Sequence, residues 1–340
     1  MDLNLDAEQV AVRDAIRGVL AERLPSTRVR AIMAEEPPFD AAVWQAAGEL
    51  GWFGLAVPEA QGGAGYGLPE AMLLFTELGR AVAPGPWLGT VLAALSVHGL
   101  AEHPGILAGE CRVAVVDDPA GVLGLGARAS GTVTGVADVG AASHLLLLGA
   151  SHVRFVARDT RGITVTSTPC MDPTRRLSAV AFDGVDVNVV SSQAEGLRQI
   201  ATVLAAAEAV GVAERGLEMS VEYGKVRHQF GKPIGSFQAI KHRCADMAVR
   251  AEVARSAVTY AAIAVRDGEP DADFQVHVAK TLATGAALTN TTDNVQNHGG
   301  MGYTWESDAH LYLKRARILE HTFGSRTAHL DALVAPWRAA

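Results

Sequence analysis

The period of the apolar pattern changes twice along this chain of 340 residues, and that change constrains the fold more than any single motif. Up to about residue 108 apolar positions recur at helical spacing, broken by AEEPP, VPEAQGGAGYGLP and APGP. Trp52, Phe53, Leu55 and Val57 in GWFGLAVPE are expected in the core. From 109 to 189 the runs shorten to RVAVV, HLLLLGA, VRFVA, GITVTS and LSAVAFDGVDV, separated by Gly, Asp, Pro and Ser, which is the punctuation of strands. From 190 onward the helical period returns. Leu197, Ile200, Leu204, Ala207 and Gly211 fall on one face, as do Phe237, Ile240, Cys244, Met247, Ala251, Ala254 and Val258, so two long helices should pack antiparallel. Ser236 is read as the N-cap of the second and Asp267-Gly268 as its stop. A third helix should run from about Asp271 to Asn297, ended by Gly299 and Gly300, and a fourth from near Trp305 to a break at Gly324. The fold class is therefore mainly α with a central β domain: an N-terminal helical domain over 1–108, a small barrel or sandwich-like β domain over 109–189, and an antiparallel four-helix bundle over 190–340.

Composition excludes several functions. Twenty-nine Lys and Arg against 37 Asp and Glu leave a formal charge of -8, with no excess cation for a phosphate backbone or an anionic bilayer, so neither nucleic acid nor membrane is an expected partner. The start, MDLNLDAEQVAVRD, is acidic where a signal peptide is basic, and the longest apolar windows, such as IATVLAAAEAVGVA, fall short of the roughly 18 residues of a membrane span. Cys111, Cys170 and Cys244 form no CxxC pair, and a cytoplasmic location is expected. GLGARA, with Gly124, Gly126 and Ala129, fits a loose dinucleotide pattern, but SGTVTGVADVG after it is not the helix such a motif needs. His298, His310 and His321 are too widely spaced to share a metal, and no nucleophile elbow is present.

Two segments carry chemical information. In EYGKVRHQFGKPIGSFQAIKHRCADM, residues 222–247, a helix runs into Arg227, the chain turns through Gln229, Phe230, Gly231 and Pro233, and a new helix begins. A guanidinium beside a helix start with free backbone N–H groups suits a pyrophosphate, although an Arg beside a Gly-Pro turn is also an ordinary solvated loop. The second segment, DNVQNHGGMGYTW, residues 293–305, is a glycine-rich helix end. Together and in this order they resemble the C-terminal domain of the acyl-CoA dehydrogenase family, and LGWFGLAVPEAQGGAGYG with FTELGRAVAPGPWL resembles its N-terminal domain. The resemblance implies an FAD-dependent oxidoreductase that takes an acyl-CoA thioester and passes electrons to an acceptor such as electron-transfer flavoprotein. It implies that Arg227, Gln229 and Phe230 contact FAD across a subunit interface, and that Gln238, Gln296, Gly299 and Gly300 contact its adenosine half. The flavin would sit mainly in a neighbouring subunit, so a tetramer or another oligomer is implied.

Other positions depart from the family pattern. The family's carboxylate base, which abstracts a proton α to the thioester carbonyl, lies in a string like YEGT. Here the string is TFGS, with Phe323 at the base position and Ser325 after Gly324; the alternative base position holds Ala201 and a CoA-binding arginine position holds Thr202. The flavin-ring segments are replaced by VDDPAGVLGLG and GVADVGAAS, where Asp138 is the main polar group. No catalytic residue is assigned. Three readings stand. The chain is the shorter, base-lacking subunit of a heteromeric actinobacterial acyl-CoA dehydrogenase and lends FAD contacts to a base-bearing second subunit, with ring-bearing thioesters implied only by analogy. Alternatively it is a homo-oligomer with a moved base, for which Glu320, Asp308, Glu306 and Glu208 are candidates, against surface carboxylates or, for Glu208, a helix-to-helix ion pair. Or it is a flavin-free structural or acyl-binding partner.

Overall fold

The computed structural model describes residues 3–97, 104–124 and 128–338. The element order is helical, then β, then helical: α1 (Ala7–Arg23), α2 (Ser26–Ile32), α3 (Ala41–Glu49), α4 (Leu68–Arg80) and α5 (Trp87–Ser96) precede the strands, and α6 (Ala194–Val226), α7 (Gln238–Asp267), α8 (Ala272–His298), α9 (Ala309–His321) and α10 (Arg326–Arg338) follow them. The chain divides into two compact units, one of Met1–Arg17, Met72–Val82 and Thr202–Ala340, the other of Gly18–Ala71 and Ala83–Ala201.

In the second unit, Trp52, Phe53, Leu55 and Val57 are buried as their spacing predicts. Trp44 lies 4.7 Å from the Phe53 ring and 4.5 Å from Trp87, and its indole N–H donates to the Gly109 carbonyl at 2.7 Å, so the buried polar atom is satisfied. Strands β1 (Val113–Asp117), β3 (His144–Leu148), β4 (Val153–Ala157) and β7 (Asn188–Ser191) form one sheet in the order β1-β3-β4-β7, and β2 (Arg128–Ala137), β6 (Leu177–Asp186) and β5 (Ile163–Thr168) form another in the order β2-β6-β5. Val116, Leu145, Leu147, Val136, Val180 and Phe182 belong to one apolar core that draws on both sheets. Strands β2 and β7 were not read in the sequence. Gly131 and Gly135 interrupt the alternation of β2, which bulges twice against β6 and takes its extended form from that pairing. Part of the GLGARA string, including Gly126, lies outside the described residues; the chain after it is β2, and no helix follows.

In the first unit α6 is central. By length and composition it could cross a membrane, but 78% of its apolar window is buried inside the fold, so it is a core helix. Residues 201–213 are buried on every side, which corrects the one-faced reading of Leu204, Ala207 and Gly211. The Asn290 amide of α8 donates to the Ala213 carbonyl of α6 and the Met247 carbonyl of α7, tying three helices together at mid-length. With Gly224 of α6 also beside Gly235 just before α7, these contacts fix α6 and α7 as antiparallel. Two boundaries differ from the sequence reading. The N-cap of α7 is Phe237, whose side chain makes no cap, because Ser236 ends a 3-10 turn over Ile234–Ser236. Helix α9 starts at Ala309, since the residues after Tyr303 close successive turns with Thr304 N–H on Met301 and Ser307 N–H on Thr304. Gly268 (φ 66) ends α7 and Gly299 (φ 59) ends α8, where their sequence positions place them.

Candidate functional site at one end of the helical bundle

Helix α6 ends at Val226, and Arg227 closes its last turn with an N–H on the Tyr223 carbonyl at 2.9 Å. Strands β8 (His228–Gln229) and β9 (Lys232–Pro233) then pair antiparallel, with Gln229 opposite Lys232, around the two-residue loop Phe230–Gly231. Both loop residues have positive φ, 53 and 76, the geometry that matches the twist of a tight hairpin. Glycine takes it freely, whereas a phenylalanine there is strained, and such strain persists where the surroundings or a function demand it. The ring that bears the strain is 91% exposed. Behind it lies Phe237, 6.0 Å away edge to face, with the Lys232 ammonium 4.5 Å above the Phe237 ring.

The end of α8 meets the two helices that flank this hairpin. Tyr223 stacks on His298 with centroids 4.2 Å apart, the Ser220 hydroxyl donates to Asn294 Oδ1 at 2.9 Å, and Arg243 of α7 donates to Asn297 Oδ1 at 2.8 Å. Arg250 pairs with Asp293, which also lies 3.6 Å from Arg243. The sequence reading missed this polar layer, although Asn290, Asn294 and Asn297 share one face of α8 at helical spacing. Gly299 has φ 59 and ψ -137, a conformation open essentially to glycine alone, and a side chain added at Gly299 or Gly300 would meet nothing within 4 Å.

The structure thus brings the ends of α6 and α8 and the start of α7 together, and with them Arg227, Gln229, Phe230, Gln238, Gln296, Gly299 and Gly300. All seven are exposed. Arg227 makes no ion pair among the described residues, and the Gln229 amide reaches only the neighbouring His228 carbonyl, at 2.8 Å. The result is an open surface carrying a guanidinium, three primary amides, an exposed ring and bare glycine backbone.

The positions that would carry a base are different in kind. Ala201 and Thr202 are buried in α6, and Phe323 (φ 55) stands in the turn between α9 and α10. Glu208 is 4% exposed and pairs with Arg315, itself 0% exposed, at 2.6 Å, so it is the helix-to-helix ion pair and no free base. Glu320 pairs with Arg317 at 3.2 Å, and Glu306 lies on the surface. Lys280 of α8 is fully buried and donates to the Leu319 and Thr322 carbonyls at 2.6 Å each, capping the end of α9; burial pulls its ammonium down to about 7. A separate cavity of about 340 Å³ opens among α1, α4, α6 and α7. Its acids and bases are matched: Arg17 pairs with Glu77 at 2.7 Å, and Glu214 lies 3.7 Å from Arg255, its carboxyl raised by burial.

Comparison with known proteins identifies the family. A model described as acyl-CoA dehydrogenase, C-terminal domain, matches residues 197–335, and one described as acyl-CoA dehydrogenase, N-terminal domain, matches residues 6–103. Acyl-CoA dehydrogenase IpdE2 of Mycobacterium tuberculosis is 34% identical over 317 residues, 91% of each chain. Its namesake in Mycolicibacterium smegmatis is 36% identical over 335 residues, covering 97% of this chain and 99% of the relative. Among solved structures, the ChsE4-ChsE5 complex from Mycobacterium tuberculosis superposes with a TM-score of 0.88 at 26% identity over 100% of both chains. A variant of the Tcur3481-Tcur3483 steroid ACAD gives 0.87 at 28% over 98% of this chain and 99% of the other. The chain belongs to the acyl-CoA dehydrogenase family.

Proposed function

We propose that this chain is the base-lacking subunit of a heteromeric, FAD-dependent acyl-CoA dehydrogenase, and that its exposed bundle end completes the flavin site of a base-bearing partner. The observation that carries this reading is an asymmetry. Donors suited to a dinucleotide sit exposed on the surface, while Phe323, Ala201 and Thr202 replace the groups that would act in a site of the chain's own, and Glu208 is locked to Arg315. FAD fits the donor set: Arg227 offers a guanidinium to a pyrophosphate, Gln229, Gln238 and Gln296 offer amides, and Gly299 and Gly300 offer backbone that a ligand can approach closely. The bound flavin supplies the hydride acceptor of the dehydrogenation. This chain's residues bind and orient the cofactor, and the exposed Phe230 ring excludes water from the joint between subunits.

The similar ChsE4-ChsE5 and Tcur3481-Tcur3483 structures are described as a two-protein complex and a steroid ACAD, which supports a partner subunit and a ring-bearing acyl-CoA substrate. Electron-transfer flavoprotein, or an acceptor like it, would take the electrons. Replacing Arg227 with Ala tests the reading: the assembly should purify with less bound FAD while the subunit's melting temperature holds. Unchanged flavin content would remove Arg227 from the site.

A further inference from the structure

The cavity of about 340 Å³ among α1, α4, α6 and α7 shares no residue with the exposed bundle end. It arises where two helices touch backbone to backbone and a third carries short side chains. A Cβ on Gly211 would drive into the Thr76 carbonyl and one on Gly79 into the Glu208 carbonyl, so α4 lies directly against α6. Helix α7 lines the cavity with Ser256 and Thr259, which leave the space beside Met72 and Leu73 of α4 unfilled. At about 30 Å³ per water, that space has the bulk of roughly eleven waters.

Two hydroxyls in it behave unusually. A threonine inside a helix often returns its hydroxyl to the carbonyl one turn back, as Thr76 does to Met72 at 3.0 Å, Thr284 to Lys280 at 2.8 Å and Thr291 to Ala287 at 2.7 Å. Ser256 and Thr259 make neither that bond nor any other hydrogen bond among the described residues. Thr259 is only 7% exposed, yet its oxygen is not sealed by protein atoms and is reached from the cavity that the residue lines. A buried hydroxyl without a partner costs stability, and here it marks a place for a ligand's hydrogen-bonding group.

The charged groups around the cavity are already paired. Arg17 holds Glu77 at 2.7 Å, Arg13 holds Asp14 at 2.7 Å, and Arg255 pairs with Glu252. Glu214 lies between Arg80, at 3.2 Å, and Arg255, at 3.7 Å. An entering carboxylate or ammonium would have to break one of these pairs or go without a counter-charge. The remaining wall is largely aliphatic, from Leu5, Met72, Leu73, Val210 and Val258.

We propose that this cavity binds a neutral aliphatic amphiphile of about ten heavy atoms. Its single hydroxyl or carbonyl group hydrogen-bonds to Ser256 and Thr259, and its alkyl body packs on Leu5, Met72, Leu73 and Val258. The site is independent of the flavin reading.

Titration of the full chain with 1-octanol, followed by calorimetry and by the melting temperature, tests it. Octanol should bind saturably, one molecule per chain, and raise the melting temperature. Octanoate and octylammonium, both charged at about pH 7, should bind about tenfold or more weakly. Thr259→Val keeps the shape but removes the hydroxyl and should weaken octanol binding by about three- to tenfold. Ser256→Leu fills the cavity and should abolish binding while the unliganded chain melts no lower. Absence of saturable binding, as from a cavity that holds water alone, would overturn the proposal. So would a charged analogue that binds as tightly as octanol, or octanol binding unchanged in either variant.

Discussion

At the scale of single residues, the decisive contact is the one between Glu208 and Arg315. Both are buried and 2.6 Å apart, so removing one leaves a charge unpaired in the core. Arg315→Met should cost about 3–5 kcal/mol in urea unfolding. Glu208→Gln should also destabilise, yet the folded assembly should still bleach its flavin with acyl-CoA, because a carboxylate locked to a guanidinium in the core abstracts no proton. Retained flavin with lost bleaching would make Glu208 a base after all. The ion pair was legible in the sequence as the ordinary reading of an acid among alanines. The Lys280 cap and the His277–His329 contact were not, since residues 39 to 52 positions apart in the chain share no pattern.

Among the elements, close approach of helices decides which glycines matter. A Cβ on Gly211 of α6 would drive into the Thr76 carbonyl of α4, while one on Gly216 would make ordinary contacts, the nearest 3.5 Å from Thr291. Gly211→Ala should therefore lower the melting temperature, and Gly216→Ala should raise stability by about 0.5–1 kcal/mol through helix propensity. Equal effects of the two would contradict the packing described for α6. The helix, β, helix order was legible because Leu145 to Leu148 make a short apolar run, buried throughout, while the α7 stripe keeps a helical period. Strand β2 was hidden because pairing with β6, not its own composition, makes it extended. The Ser236 cap failed for a similar reason: the hairpin around Phe230 fixes where the chain can enter α7, and local capping preference yields to it.

For the whole molecule, the central matter is the half-site proposed above. Seven exposed residues gathered at one end of the bundle, led by an unpaired Arg227 and a strained, exposed Phe230, make sense when another chain and its cofactor cover them. The motifs behind that proposal are contiguous in the chain, which is why they could be read there. Phe323 and Ala201, which cannot accept a proton, were legible there too as departures from the family pattern. On the proposed reading the partner and the acyl pocket would belong to another chain, and this sequence would carry no signature of either. The most direct measurement is the flavin absorbance at about 450 nm of this chain purified alone and again with a base-bearing acyl-CoA dehydrogenase subunit, before and after adding a ring-bearing acyl-CoA. A colourless chain that becomes yellow and bleachable with the partner is the predicted result; a chain that is yellow and bleached alone, or an assembly without flavin, would contradict the account.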